Sequence, residues 1–169
     1  TMVVKVPDGS FSIGVTKVTS EEEYRRTLTE LFPRSSILLV QEFLPTDFDW
    51  RIGVIGGEIV YGCKYYMARG HWQIIKHRAN GLLNAGGFET VPTNSIPAKV
   101  RKLAVKATSL IGKGLYGVDI KVIDEQPVII EINDNPSIEH GIEDKIMGNE
   151  LYRIILREFT NRINSKQHK

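Results

Sequence analysis

Residues 117–120 read Gly-Val-Asp-Ile, and residues 128–137 read Val-Ile-Ile-Glu-Ile-Asn-Asp-Asn-Pro-Ser. These two largely apolar stretches, separated by a short polar segment, predict two strands joined as a hairpin. Alternate side chains of a strand share a face, so Glu131 and Asn133 are predicted to point the same way. If Asp119 lies opposite them across the hairpin, two carboxylates and an amide oxygen converge. Such oxygen ligands suit Mg²⁺ or Mn²⁺.

The same residues also allow an interpretation without a metal. Asp119 can simply end a strand, Glu131 can face solvent, and residues 133–137 have the composition of a turn. Against this, Glu131 stands between isoleucines, where a charge is costly unless it is paired or bound to a metal. From spacing alone, both interpretations stay open.

The chain N-terminal to this hairpin begins with short strands and a helix. Residues 3–6 and 14–18 predict two strands around a turn. A helix is predicted to start at Ser20 and to end before Pro33. Residues 36–43 form a mostly apolar run, which is consistent with a buried strand.

A break at residues 44–47 predicts a hinge between two lobes. We therefore expect a partial small lobe at residues 1–44, with a phosphate flap and the hinge strand. A large C-terminal lobe with the metal site is expected at residues 45–169. Strands and helices in mixed order, with hairpins, indicate an α+β fold rather than a doubly wound parallel sheet.

Within the large lobe, Gly56 and Gly57 separate two strand-like runs and predict a two-residue hairpin turn. Residues 71–77 are a candidate strand, and residues 80–95 are predicted to be a loop because they contain glycines and a proline with little periodicity. A helix is expected from Pro97 onward. The last helix is expected to bury Leu151, Ile154, Ile155 and Phe159.

Composition narrows the functional classes. The 169 residues include 22 basic and 20 acidic side chains, a net charge of +2, and are 41% apolar and 25% charged. These values are typical of a folded globular domain rather than a disordered one. No apolar run approaches the roughly 20 residues of a membrane span. The single cysteine, Cys63, excludes an intrachain disulfide and a thiolate metal cage. We therefore expect a cytoplasmic protein without a membrane or nucleic-acid partner, and homo-oligomerisation stays open.

Two segments allow further alternatives. Residues 64–78 contain four basic residues and no acid, interleaved with aromatics, which would also suit salt-sensitive nucleic-acid binding. The near-neutral net charge makes that the weaker alternative. Residues 134–150 hold five acids against one base, and form either a solvated loop or a surface for a cationic amine.

Groups suited to phosphate precede the hinge. Lys5 lies just before a small-residue turn at residues 9–14, whose backbone N–H groups could approach phosphate oxygens. Turns of this composition are common, and the segment is neither a Walker A sequence nor a dinucleotide fingerprint. Beyond the hinge, Asp49 and Arg51 share one side of a strand, where a surface ion pair is the alternative to a ligand role.

Taken in order, these segments resemble the ATP-grasp superfamily. Within it, they are most similar to ribosomal-protein-S6 glutamate-ligase-like (RimK-like) and glutathione-synthetase-like carboxylate–amine ligases. The resemblance covers nearly the whole chain and is most specific at residues 117–120 and 128–137. It implies an ATP-grasp fold of two lobes with mixed and antiparallel sheets. Because the chain starts within a strand, we expect a piece of a longer protein, with the N-terminal portion of the fold outside it.

The resemblance also implies roles for individual residues. Asp119, Glu131 and Asn133 resemble the Mg²⁺ ligands that bridge the ATP phosphates. The implied nucleotide-binding residues are Lys5, Gly9, Ser10, Gly14, Gln41, Glu42, Phe43, Leu44 and Asp49. Among them, Lys5 resembles the strand lysine that contacts ATP, and residues 9–14 resemble the mobile flap over the phosphates. Backbone groups of Glu42 and Leu44 would bind adenine, and Asp49 would hold the ribose.

The catalytic residues implied by the resemblance are Arg51, Lys64 and Asn84. Arg51 resembles the arginine near the γ-phosphate and the acyl phosphate, and Lys64 would assist it. Asn84 is similar to the asparagine of the family's substrate loop. The segment from residue 64 to residue 78 is less arginine-rich than the substrate loop of the S6-modifying enzymes, so the acceptor stays undefined.

The implied reaction joins a carboxylate to an amine with ATP and Mg²⁺ or Mn²⁺. The carboxylate attacks the γ-phosphate of ATP, and an amine then displaces phosphate from the acyl phosphate. Glutamate is one candidate for the transferred group, and the acceptor would be an amino acid, a peptide or a protein. Positioning, metal ions and cationic clamps would supply the catalysis, without a covalent nucleophile. The alternative is a regulatory nucleotide-binding module without turnover.

Overall fold

The computed structural model describes residues 1–7, 13–77 and 83–167. Within these ranges, ten strands form three antiparallel sheets, and three α-helices accompany them. The strands are β1 (Met2–Lys5), β2 (Val15–Val18), β3 (Leu39–Glu42), β4 (Phe48–Ile55), β5 (Glu58–Tyr66), β6 (Ile75–His77), β7 (Leu83–Ala85), β8 (Phe88–Val91), β9 (Leu115–Ile123) and β10 (Gln126–Asn133). The helices are α1 (Glu21–Leu31), α2 (Ala98–Ser109) and α3 (Asn149–Gln167). None of the helices described is both long and apolar enough to span a membrane.

The first sheet has the order β2-β1-β3 and packs against α1. The start of α1 is as predicted, because the hydroxyl of Ser20 accepts a 3.2 Å hydrogen bond from the backbone N–H of Glu23. The buried strand expected at residues 36–43 is wrong. Only β3 forms there, and Leu39 and Val40 are 41% and 44% exposed. As an edge strand, β3 lies away from α1, which packs against β1 and β2.

The second sheet has the order β10-β9-β4-β5-β8. Its β4–β5 hairpin turns at Gly56 and Gly57, whose φ angles of +62° and +92° require glycine or a similarly tolerant residue. One face packs on α2, and α3 contributes Leu151 and Ile155 to the core on the other face. Phe159, expected to be buried, is 39% exposed.

The loop predicted at residues 80–95 is wrong where β7 and β8 form. β8 joins the edge of the second sheet beside β5, and β7 pairs with β6. A Cβ atom on Gly86 would lie 1.7 Å from the carbonyl oxygen of Tyr66. Gly86, between β7 and β8, therefore permits a close approach to the backbone at the end of β5, although the segment around it has the composition of a loop. The candidate strand at residues 71–77 is confirmed only for its last three residues, β6.

The three strands N-terminal to residue 44 form the first sheet, and the other two sheets contain the strands from Phe48 onward. The core of the first sheet is formed by Val4, Val18 and Leu31 and is separate from the cores of the second sheet. The division into two lobes at residue 44 stays a prediction.

Candidate functional site

One face of the second sheet aligns three of the predicted site residues across neighbouring strands. Arg51 on β4 lies opposite Asp119 on β9, and Asp119 lies opposite Glu131 on β10. Directly opposite residues share a face of a sheet. The condition set for a metal site, that Asp119 lies opposite Glu131 across the hairpin, is therefore met, whereas Asn133 lies opposite Gly117.

A β-bulge at Ile130 sets this alignment. Ile129 pairs with Ile120, whereas Glu131 pairs with Asp119, so Ile130 is an extra residue in β10. Ile129 and Ile132, three positions apart, both pack against the core beneath α2. If Ile130 took a place in a regular ladder, Glu131 would point into that core. The bulge keeps Glu131 on the face that carries Asp119.

The first sheet meets the second at this bulge. Lys5 Nζ lies 3.5 Å from the carbonyl oxygen of Ile130 and 3.4 Å from Oε2 of Glu131. Gln41 Nε2 lies 3.4 Å from the same carbonyl oxygen. These long hydrogen bonds connect β1 and β3 to the backbone beside a candidate metal ligand. Lys5 is buried, and the Glu131 carboxylate provides it with a counter-charge.

The guanidinium of Arg51 forms a bidentate pair with Asp119. Nε and Nη2 donate to the two carboxylate oxygens, each at 2.9 Å. Burial opposes the charged form of Arg51, but the hydrogen bonds and charge of Asp119 outweigh it and raise the pKa of Arg51 above its usual value. Asp119, which is itself a candidate metal ligand, therefore holds the positive charge of Arg51 in a fixed position beside it.

Asp49 pairs with Lys121 and not with Arg51, so the surface ion pair considered for residues 49 and 51 does not form. Lys121 Nζ donates to Oδ1 of Asp49 at 2.6 Å and to the hydroxyl of Thr46 at 2.7 Å. Burial raises the pKa of Asp49, while the Lys121 charge opposes that shift. Sequence reasoning missed Lys121, although its position two residues after Asp119 on the same strand places it on the same face.

These groups line a cleft of about 370 Å³ between the first and second sheets. Ten of the predicted site residues line it: Lys5, Gln41, Glu42, Phe43, Leu44, Asp49, Arg51, Asp119, Glu131 and Asn133. Sequence reasoning did not assign Tyr65, Met67 and Trp72 to the cleft, which they also line. Phe43 and Trp72 meet edge to face with ring centroids 5.8 Å apart. One part of the cleft is thus aromatic and another is charged.

The other predicted site residues are not brought into the cleft. Lys64 lies opposite Trp50 on β4 and pairs with Glu89 at 2.9 Å, on the sheet face opposite to Arg51. Asn84 lies on β7, and Gly14 precedes β2; neither lines the cleft. Gly9 and Ser10 fall outside the described residues.

The acid-rich segment at residues 134–150 is not simply a solvated loop. Glu143 and Asp144 are 1% and 3% exposed. Glu143 accepts hydrogen bonds from the hydroxyl of Tyr65 and from the backbone N–H of Glu139. Asp144 is bonded to His140, Gly141 and Tyr152, and its pKa is lowered, chiefly by His140. Their partners explain why two acids can be buried here.

The donor set fits a metal held together with phosphate. Within residues 1–7, 13–77 and 83–167, no group of three or more His, Cys, Asp or Glu side chains is arranged to hold a metal ion. Asp119, Glu131 and Asn133 supply two carboxylates and one amide. Mg²⁺ is commonly bound by one or two carboxylates plus substrate phosphates rather than by an all-protein cage. The cleft offers that kind of partial ligand set.

Comparison with known proteins identifies the family. The family model of the RimK-like ATP-grasp domain matches residues 1–157. The chain belongs to the RimK-like ATP-grasp family. A protein of Syntrophotalea carbinolica named "probable alpha-L-glutamate ligase" is 30% identical over 159 residues, covering 91% of this chain and 50% of the relative. A protein of the same name from Halorhodospira halophila is 32% identical over 144 residues, covering 84% of this chain and 44% of the relative.

Solved structures show the same fold for this RimK-like chain. The D-alanine–D-alanine ligase of Bacillus anthracis matches with a TM-score of 0.71 at 17% identity, over 98% of this chain and 56% of that one. The corresponding ligase of Coxiella burnetii gives 0.72 at 16% identity, over 99% and 47%. The ATP-grasp ligase PsnB, complexed with a precursor variant, Mg and ADP, gives 0.59 at 18% identity, over 93% and 46%. The expected α+β ATP-grasp fold is confirmed, and the chain spans about half the length of these relatives.

Proposed function

We propose that this chain is the ATP- and Mg²⁺-binding catalytic part of a carboxylate–amine ligase that acts through an acyl phosphate. The observation that carries the proposal is the cleft between the first and second sheets, lined by ten residues for which the family resemblance implies nucleotide, metal or phosphate contact. The relatives named as ligases support the same reaction class. Glutamate is the proposed transferred group, by analogy with the relatives named α-L-glutamate ligases.

The two chemical parts of the cleft suit the two ends of ATP. Phe43, Leu44 and Trp72 supply apolar surface for the adenine. Lys5 and Arg51 supply positive charge for phosphate oxygens. In the structure, Asp49 is paired with Lys121. We propose that the ribose competes with Lys121 for the Asp49 carboxylate when the nucleotide binds.

Asp119, Glu131 and Asn133 would hold Mg²⁺ or Mn²⁺ together with phosphate oxygens. When bound, the metal would neutralise charge on the transferred phosphoryl group. Arg51 would orient the γ-phosphate toward the attacking carboxylate, and Lys5 would bind phosphate at the bulge. Among the other residues predicted to act, Lys64 and Asn84 receive no support from their positions, so the proposed catalytic set centres on Arg51.

Calorimetry with Mg²⁺–ATP tests the binding site. Replacing Glu131→Gln together with Asn133→Ala removes one candidate charge and one amide ligand, and we expect Mg²⁺-dependent ATP binding to be lost while the fold persists. The matched control is Asp134→Asn, which changes an exposed acid next to Asn133 that does not line the cleft. An unchanged affinity in the double variant would contradict the site.

Tryptophan fluorescence provides a second readout. The sequence has two tryptophans. Trp50 is 4% exposed in the core, whereas Trp72 lines the cleft. Nucleotide binding should therefore change mainly the emission of Trp72, and the change should disappear in Trp72→Phe. A response that survives this substitution would place the nucleotide elsewhere.

The ligase step is tested on the full-length protein that contains this chain. ATP hydrolysis should depend on the presence of a suitable carboxylate and amine, and hydroxylamine should trap the acyl phosphate as a hydroxamate. ATP binding without turnover for any carboxylate and amine pair would instead favour the regulatory nucleotide-binding module.

A further inference from the structure

Arg51 is held from two sides. Asp119 accepts two hydrogen bonds from its guanidinium, and the ring of Tyr65 lies against the same group, with the centroid 5.1 Å from Cζ. The hydroxyl of Tyr65 donates to Glu143, whose second oxygen accepts from the backbone N–H of Glu139 at 2.8 Å. A continuous set of contacts therefore connects the segment after β10 with the guanidinium.

Glu143 needs an explanation because this acidic residue is only 1% exposed. Burying a carboxylate is costly unless hydrogen bonds compensate for lost water. Its bond to the Glu139 N–H closes a local turn, but its bond to Tyr65 reaches a residue 78 positions away. A purely local structural role would not require the second contact.

The Tyr65–Glu143 bond fixes the aromatic surface that faces Arg51. A cation over an aromatic ring is attracted by the negative face of that ring, more strongly where water is excluded. Burial and the bond to Glu143 raise the pKa of Tyr65 above its usual value, so the hydroxyl stays a donor at neutral pH. Asp119 is also a candidate metal ligand, whereas Tyr65 is not, so Tyr65 can keep Arg51 in place when Asp119 takes another partner.

We infer that Tyr65 and Glu143 are positioning residues for Arg51: they hold its guanidinium at the phosphate end of the cleft independently of Asp119. This inference rests on the proposed function, in which Arg51 contacts the γ-phosphate. Neither residue needs to touch the reacting atoms. The inference extends the site to the segment after β10.

Hydrogen exchange of the Arg51 Nε–H, measured by NMR without nucleotide, tests the positioning directly. The signal is assigned by its disappearance in Arg51→Lys. Tyr65→Phe keeps the ring but deletes the hydroxyl, and should speed exchange by up to about tenfold, because the ring that packs on the guanidinium loses its hydrogen bond to Glu143 while Asp119 still accepts from Nε. Glu143→Gln should act in the same direction but leaves a neutral acceptor. Tyr65→Phe therefore decides the question.

Tyr66→Phe is the matched control. It also deletes a tyrosine hydroxyl bonded to a carboxylate, that of Glu89, but on an exposed site outside the cleft. Exchange at Arg51 should be unchanged in this variant. Equal exchange rates in Tyr65→Phe and the wild type, or equal acceleration in Tyr65→Phe and Tyr66→Phe, would overturn the inference.

Binding of ATP and AMP then separates positioning from the proposed function. Tyr65→Phe should weaken Mg²⁺–ATP binding several-fold and leave AMP binding unchanged, because only ATP carries a γ-phosphate. If the wild type binds neither nucleotide while the exchange result holds, the proposed function fails and the positioning role stands. If ATP binds but Tyr65→Phe changes neither exchange nor the ATP-to-AMP affinity ratio, the positioning role fails alone.

Discussion

The Arg51–Asp119 pair should be strongly coupled in the free protein. The two side chains are 26% and 17% exposed and share two 2.9 Å hydrogen bonds. Removing one partner of a fully buried pair costs about 3–5 kcal/mol, whereas an exposed pair contributes up to about 1 kcal/mol. Because about a quarter of the Arg51 side chain still meets water, we expect Asp119→Asn to lower the free energy of unfolding by about 2–3 kcal/mol.

A double-mutant cycle isolates the interaction. Urea unfolding of the wild type, Asp119→Asn, Arg51→Met and the double variant, without nucleotide or metal, should give a coupling free energy of about 2 kcal/mol. The double variant should be little worse than either single one, since neither charge is then left buried without a partner. The Lys64–Glu89 pair, with side chains 24% and 48% exposed, is the comparison. Its coupling should stay below about 1 kcal/mol.

Two results would refute this reasoning. If the single effects at Arg51 and Asp119 add to within about 0.5 kcal/mol, the two groups are not coupled in solution. If the Lys64–Glu89 cycle gives an equal coupling, burial does not set the strength of either pair. The first result would mean that Asp119 does not hold the Arg51 guanidinium in solution. The second would refute only the link between burial and the strength of the pair.

Three further outcomes follow from burial and backbone geometry. Gly86→Ala should markedly lower the melting temperature, because its Cβ would lie 1.7 Å from a backbone oxygen, whereas Gly87→Ala, with nothing nearer than 4.0 Å, should be tolerated; equal effects would contradict the close approach of Gly86 to the backbone of Tyr66. The pKa of Asp144 is lowered, chiefly by His140, so its stabilisation is present above the unfolded pKa and lost as the pH falls through the folded one. Melting temperatures measured against pH should therefore fall less steeply below about pH 4 in Asp144→Asn, and parallel curves would contradict this. Burial raises the pKa of Cys63 to about 11, so iodoacetamide should label it slowly at pH 8 in the folded protein and rapidly in urea, and rapid labelling of both states would exclude its burial.

The hairpin carrying the candidate metal ligands could be predicted because its signals are local. Alternating apolar residues and a short polar turn define β9 and β10, and Asp119 lies opposite Glu131, as the metal interpretation required. The bulge at Ile130 could not be predicted from alternation alone, because an extra residue reverses the faces of every later side chain. A three-residue spacing between core isoleucines is the signal that could have revealed it.

The remaining misses depend on contacts between residues distant in sequence. Gly86 and its neighbours have loop composition, and only the carbonyl of Tyr66, from the preceding strand of the sheet, explains why β8 follows a glycine. Glu143 belongs to a polar, acid-rich segment, and its carboxylate accepts a hydrogen bond from Tyr65 on β5, far away in sequence. The family resemblance implied that Lys64 assists Arg51. Lys64 instead lies opposite Trp50, so its side chain is on the face of the second sheet opposite to that of Arg51.

The bulge at Ile130 also bears on how such a chain can tolerate changes in length. Deleting Ile130 would let Glu131 follow Ile129 in a regular ladder and still face Asp119, so the candidate ligands would keep their places. The deletion would instead remove the carbonyl oxygen that Lys5 and Gln41 reach from the first sheet. A divergent protein with one residue fewer in this strand could therefore keep every candidate metal ligand and lose two of the hydrogen bonds that join the first and second sheets beside them, with the contact between Lys5 and Glu131 remaining.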